Sequence, residues 1–317
     1  MAGELKPPII LFGNTRSGTS IVQNVVAVHP DVVAWYEPRT LWLYADPGRP
    51  HDEFGAADAT PKVARFIRKQ FLGYQRRHGN CAVMEKTPAN IFKIPYVRAI
   101  LPEARYLYIV RDPFAFISSV EFKWQSHLTP KGVRRRLRYT PVGQWPFYAS
   151  RFISDLLGKK VLHKKYLRIW GPRYKGILED LQTHDLLTVI ARQWAEGSRR
   201  AARDLAWFEP GRVLTFKYEE FVTDPVAHLE RICAHCGLEM TVEMAHAARD
   251  WVKPDRQDKW RRFDPHELAR VLPEIRDEMD RHGYSVPEEI ARAAALSADD
   301  TPTDQVLMAG SGSSTVR

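Results

Sequence analysis

The chain has 317 residues, 44% hydrophobic and 27% charged, enough for one large α/β domain with insertions or, less simply, two small ones. No apolar run reaches membrane-span length, residues 1–8 hold no signal-like apolar segment, and three cysteines are too few and too oddly numbered for a disulfide framework; a soluble protein of a reducing cytoplasm is expected. A formal net charge of +9 favours an anionic ligand, an acidic acceptor, nucleic acid or an anionic surface without choosing among them.

Continuous apolar runs alternate with longer amphipathic stretches, which predicts βα units around a mostly parallel sheet buried on both faces. The first run, 8–13, leads into Gly13-Asn14-Thr15-Arg16-Ser17-Gly18-Thr19-Ser20 and then a helix near 17–28. That helix buries Ile21, Val22, Val25, Val26 and Val28. Two glycines five apart allow a tight turn whose amide N–H groups, with the helix N-terminus, converge on a phosphate or sulfate. A Walker loop carries a lysine after its second glycine; here Thr19 stands there and Arg16 is the cation inside the loop, which weakens a kinase or NTPase reading. A short strand at 31–36 ends in Trp35-Tyr36-Glu37-Pro38, the cluster Asp46-Pro47-Gly48-Arg49-Pro50 is a loop, and a helix follows near 60–78.

The strand at 81–85 ends in Glu85-Lys86-Thr87-Pro88, and the strand at 105–110 ends in Arg111-Asp112-Pro113, where Asp112 can cap a helix that Pro113 opens. Ser119 lies on that helix, eight residues after Arg111. Each strand thus delivers polar residues at its carboxyl end, the edge where open α/β sheets bind ligands. From 122 to 183 the pattern is irregular, aromatic and basic, an insertion suited to an acceptor site or only to a solvated face. Helical patterns then run through 184–206, 218–236 and 265–282, with a fourth core strand at 212–216. Cys233-Ala-His-Cys236 sits inside a helical pattern without a second ligand pair, which argues against a metal or redox site. One domain over 1–296 and a disordered tail over 297–317 complete the expected organisation.

Arg16-Ser17-Gly18-Thr19-Ser20 and Arg111 with Ser119 together resemble the two cofactor signatures of sulfotransferases that use 3′-phosphoadenosine 5′-phosphosulfate (PAPS). The likeness is to the carbohydrate and tyrosylprotein branches and their bacterial relatives. Glu85-Lys86-Thr87-Pro88 is similar to a segment of heparan sulfotransferases, and Phe216 to Phe221 with Asp224-Pro225 is similar to an element of bacterial members. Lys253-Pro254 with Asp258-Lys259-Trp260 resembles a late stretch of tyrosylprotein sulfotransferases. The five pieces occur in family order over roughly residues 8–284.

The resemblance implies a P-loop NTPase-like three-layer α/β/α fold with a central mostly parallel sheet and helical insertions. It implies PAPS as co-substrate, its phosphosulfate on Arg16, Ser17, Gly18, Thr19 and Ser20, its 3′-phosphate on Arg111 and Ser119, and Lys259 near the nucleotide. Arg16 and Lys86 would stabilise the transferred sulfate and the leaving phosphate, with no metal required. The resemblance also implies a glutamate after the first helix as general base, a position that Glu37 fills, in place of a histidine shortly after Lys86, with Trp35, Tyr36 and Trp42 burying it; Arg39 either binds an acidic acceptor or orients Glu37. The acceptor, acidic or glycosidic, is not legible, nor is the oligomeric state; peripheral membrane contact is compatible with the charge. Rival readings are a P-loop kinase, a nucleic-acid binder using the basic 131–175 segment, which lacks any recognised module, and an inactive cofactor-binding protein.

Overall fold

The computed structural model describes residues 4–124, 170–254 and 258–299. Its elements in chain order are β1 Ile9–Gly13, α1 Thr19–Val26, β2 Val32–Tyr36, α2 Arg39–Trp42, α3 Pro61–Arg77, β3 Ala82–Lys86, α4 Ile94–Ile100, β4 Arg105–Val110 and α5 Pro113–Trp124. After the segment outside the described residues come α6 Ile177–Thr183, α7 Leu186–Leu205, β5 Val213–Lys217, α8 Tyr218–Thr223, α9 Pro225–Cys236, α10 Val242–Trp251, α11 Pro265–Arg270, α12 Leu272–His282 and α13 Glu288–Asp299. Short 3-10 turns occupy Ala56–Asp58, Pro88–Phe92 and Asp258–Arg262.

The five strands form one sheet in the order β2-β3-β1-β4-β5, and every neighbouring pair runs parallel. β1 is central, so its carboxyl end, where the glycine loop begins, opens between β3 and β4. Continuous apolar strands follow from a sheet covered on both faces. Ile10, Phe12, Tyr106, Tyr108 and Val110 point into one core, while Ile9, Leu11, Leu107 and Ile109 point into the other.

Two expected helices are broken where the sequence carries a stop and a restart. The pattern over 218–236 divides at Asp224, whose Oδ1 accepts from Ala227 N at 3.1 Å and caps α9, with Pro225 in its first turn. The pattern over 265–282 divides at Val271, and Pro273 stands in the first turn of α12. At the other end, α13 continues to Asp299, with Ser297 Oγ donating to Ala293 O at 2.9 Å, so the helix extends into the stretch expected as tail from 297. Of the basic segment 131–175, residues 131–169 lie outside the described residues, while Arg173 and Lys175 lie within them.

Candidate functional site

The loop after β1 is held open by backbone geometry that only some residues tolerate. Gly18 has φ +83°, and a Cβ there would come within 2.2 Å of the Tyr218 ring, so glycine is required by both conformation and space. Arg16 adopts φ +63° without being glycine. Left-handed backbone at a non-glycine residue is strained and persists where its surroundings impose it. Asn14 supplies part of that constraint: its Nδ2 donates to Trp194 O at 3.2 Å and to Ser198 Oγ at 3.1 Å on α7. Gly197 permits the approach, since a Cβ there would lie 2.2 Å from Asn14 Oδ1. Asn14 is therefore an anchor of the loop.

The two signatures meet. Arg16 Nε donates to Ser119 Oγ at 2.9 Å, and Arg111 NH1 donates to Arg16 O at 2.6 Å. Arg111 is buried, with its guanidinium 4.5 Å from the Tyr218 ring centroid, while Trp194 Nε1 donates to Arg111 O at 2.9 Å. Burial pulls its pKa below the ordinary value, opposed by Tyr218, Glu219 and Asp112. Ser17 Oγ is fully buried and has no hydrogen-bond partner among the described residues. A buried hydroxyl of that kind costs stability unless something is built to receive it. Ser20 Oγ faces the next strand. Lys259 stands exposed on the turn Asp258–Arg262, which packs on α5 through Trp260 against Phe114 and through Arg262 NH2 to Ser118 O at 3.0 Å.

A second group assembles at the ends of β2 and β3. Lys86, 2% exposed, donates from Nζ to Ser20 Oγ at 3.0 Å and to Glu37 Oε1 at 2.6 Å. One buried ammonium thus joins the glycine loop to the carboxylate at the end of β2. Glu37 has φ +47°; of the three non-glycine residues with positive φ among those described, two are Arg16 and Glu37. The expectation that Trp35, Tyr36 and Trp42 bury Glu37 is corrected. Trp35 turns into the core and stacks on Tyr74 at 4.5 Å, Tyr36 turns outward, 42% exposed, with its hydroxyl on Asn24 Oδ1, and the Glu37 side chain stays 33% exposed. Strand alternation sends the two aromatics to opposite faces, and the left-handed turn then directs Glu37 to Lys86.

Arg39 goes to neither expected role directly: its NH2 donates to Asp52 Oδ2 at 2.7 Å. Glu85, next to Lys86 but on the other strand face, is fully buried and accepts from Thr87 Oγ1 at 2.5 Å and Asn90 Nδ2 at 3.1 Å. Burial pushes its carboxyl up to about 7 despite those donors. Neither Asp52 nor the Glu85 hub is legible as a site from spacing. Asp112, the carboxylate a kinase reading would need, accepts from Ala115 N at 2.8 Å as the cap of α5, and burial pushes it up to about 6. Cys233 and Cys236 lie on α9 with thiols pushed up by burial to about 11 and 12, the opposite of a reactive thiolate.

The sequence profile of the sulfotransferase family matches residues 7–169 and 163–242, most of the chain and all of the site just described except Lys259. The chain belongs to the sulfotransferase family. Nodulation protein NoeE of Sinorhizobium fredii (strain NBRC 101917 / NGR234) is 25% identical over 142 residues, 39% of this chain and 34% of the relative. Protein-tyrosine sulfotransferase 1 of Danio rerio is 27% identical over 124 residues, 36% of this chain and 35% of the relative. The matches thus span about a third of the length of these curated relatives. Among solved structures, the sulfotransferase domain from the curacin biosynthetic pathway superposes with a TM-score of 0.52 at 14% identity, covering 90% of this chain and 100% of the other. The sulfotransferase domain of the Synechococcus PCC 7002 olefin synthase gives 0.53 at 15%, covering 89% and 96%. These share the P-loop-like α/β fold of the family. Among the described residues no helix is long and apolar enough to cross a membrane.

Proposed function

We propose that this sulfotransferase-family chain is an enzyme that transfers the sulfuryl group of PAPS to an acceptor hydroxyl, with Glu37 as general base. The observation that carries the reading is the bond from Arg16 to Ser119, reinforced by Arg111 on the Arg16 carbonyl, which joins pieces about a hundred residues apart at the carboxyl end of the central strand. The residues present suit a donor carrying anionic groups at two positions. Ser17 offers a buried hydroxyl that meets no partner among the described residues, and Arg16 and Arg111 offer permanently charged forks. In this reading Arg16, Ser17, Gly18, Thr19 and Ser20 hold the phosphosulfate, and Arg111 and Ser119 hold the 3′-phosphate, with Lys259 on the nucleotide side.

Bound PAPS supplies a sulfuryl group on a phosphate leaving group. The chain's own contribution is positioning and charge: Arg16 and Lys86 offset negative charge, as fixed cations in a preorganised site do. The Lys86 ammonium is bonded to both Ser20 and Glu37, so it lies between the proposed donor loop and the proposed base. Glu37, partly exposed, is accessible to an acceptor hydroxyl whose proton it takes, a step worth about 10²–10⁴ in rate. In the same reading the 122–183 insertion binds the acceptor, a carbohydrate, glycolipid, peptide or natural-product hydroxyl. Cytoplasmic action is part of the same reading.

The test incubates the purified chain with sulfur-labelled PAPS and a cell extract and identifies by mass whatever gains label, alongside calorimetric binding of the desulfated nucleotide PAP. Transfer without added metal, with PAP binding, is the expected result. Magnesium-dependent ATP turnover without sulfate transfer would favour the kinase reading instead. Glu37→Ala should bind PAP as before and lose about 10²–10⁴ in transfer rate; full activity in that variant removes Glu37 as the base.

A further inference from the structure

Asp52 is fully buried in the loop between α2 and α3, and three cations converge on it. Arg39 NH2 lies at 2.7 Å from Oδ2, Lys93 Nζ at 3.5 Å from Oδ1, and Arg173 NH2 at 3.3 Å from Oδ1. The Arg173 backbone closes the knot from both sides: its N donates to Asp52 Oδ2 at 2.8 Å, and Asp52 N donates to its carbonyl at 2.7 Å. Lys93 is itself fully buried, with its ammonium 5.5 Å from the Phe54 ring centroid. Taking one carboxylate out of water is costly unless opposite charges compensate, and here the surrounding cations hold Asp52 well below the usual carboxylate range.

Each cation belongs to a different segment of the site. Arg39 lies two residues after Glu37, and its amide donates to the Glu37 carbonyl at 2.8 Å, closing the left-handed turn. Lys93 ends the 3-10 turn that begins two residues after Lys86. Arg173 follows the 125–169 segment; a Cβ at Gly171, two residues earlier, would lie 3.5 Å from Thr15 Cγ2 of the glycine loop, and Gln193 of α7 binds the carbonyls of Trp170 and Pro172.

We infer that Asp52 is a positioning residue for the proposed sulfuryl transfer, one buried carboxylate that fixes the Glu37 turn through Arg39, the turn after Lys86 through Lys93, and the returning end of the insertion through Arg173. The inference rests on the sulfotransferase reading for its catalytic consequence, while its structural half stands alone. Among the described residues the bonds of Asp52 run to Arg39, Lys93 and Arg173 and not to the glycine loop or Arg111, so its removal acts first on the acceptor side of the site. A carboxamide there keeps the shape and removes the charge that gathers the three cations.

The experiment compares wild type with Asp52→Asn, Arg39→Met and the double variant Asp52→Asn/Lys93→Met. Amide hydrogen exchange over 37–41, 93–95 and 171–175 should accelerate about tenfold or more in Asp52→Asn, while 13–20 stays protected. PAP affinity should hold within about twofold and turnover of labelled PAPS with the acceptor-bearing extract should fall about 10²-fold, because loosened reacting groups lose rate without losing donor binding. Removing Lys93 as well relieves one buried unpaired cation and should restore part of the protection. Arg39→Met leaves Asp52 with two cations, so it should fold and should loosen 37–41 but not 171–175. Unchanged exchange in Asp52→Asn, or a loss of PAP affinity as large as the loss of turnover, overturns the inference. Should wild type neither bind PAP nor transfer label, the functional reading fails, and the exchange pattern still decides whether Asp52 organises the three segments.

Discussion

The two halves of the site are built from different materials. On the loop side, Arg16 donates to a serine hydroxyl and Arg111 to a backbone carbonyl, the Ser17 hydroxyl is buried without a partner among the described residues, and glycine and left-handed backbone set the shape. On the side of β2 and β3, cations meet carboxylates: Lys86 with Glu37, and Arg39, Lys93 and Arg173 with Asp52. Exchanging a neutral acceptor for a phosphate oxygen adds charge–charge attraction to a bond that the guanidinium already assists. Carboxylates hold their cations in place before any ligand arrives. In the proposed reading the loop side receives the anionic donor and the other side keeps its geometry.

Three measurements sharpen that contrast. Of the three, the largest effect is expected at Lys86, which among the described residues bonds to both halves: Lys86→Met should lower sulfate transfer about 10²–10³-fold, the scale for losing one preorganised donor at developing charge. Combined with Glu37→Ala it should cost little more than the worse single change, because the two act as a pair. Additive losses in single-turnover assays would show them to be independent.

Next is Glu85, buried beside Lys86, with its carboxyl pushed up from 4.5 to about 7. Below about pH 4.5 folded and unfolded chains both hold the proton. Between there and about pH 7 the folded chain keeps the proton that the unfolded chain gives up, so stability falls as pH rises through that window, by about 3 kcal/mol once complete. Glu85→Gln should flatten this slope in urea unfolding between about pH 4 and pH 8. An unchanged slope would mean that the carboxyl titrates alike in both states.

The smallest effect has two opposite signs. Ser17→Ala deletes a buried hydroxyl that lacks a partner among the described residues, so the free protein should gain about 1 kcal/mol while PAP affinity drops about tenfold. A stabilised variant that binds PAP as tightly as wild type would remove Ser17 from the donor site and make the loop side structural there.

Much of the frame was legible because its signals are local. The runs at 8–13, 81–85, 105–110 and 212–216 are strands within a residue or so of their predicted bounds, and β1 and β4, covered on both faces, are the ones that read as near-continuous apolar runs. The breaks at Asp224-Pro225 and Val271 were also present as cap and proline signals, although amphipathic periodicity runs straight across them. Asn14 was not legible as an anchor, because its partners Trp194 and Ser198 lie 180 and 184 residues away. Nor was the fate of Arg39, whose partner Asp52 sits in a loop with no periodicity at all.

The amino-acid sequence alone determined the sheet's strands, the glycine turn at 13–20 that the proposed function uses for an anion, and the charged residues delivered at strand ends, because glycine conformation, side-chain period and residue chemistry act over a few positions. Only the tertiary structure decided which charges meet. The strand order sets β1 between β3 and β4, bringing Ser20 to Lys86 and Arg16 to Ser119 across 66 and 103 residues of chain. Such pairings depend on closing long loops against a common core, and no local signal encodes which of several buried cations a single carboxylate will collect.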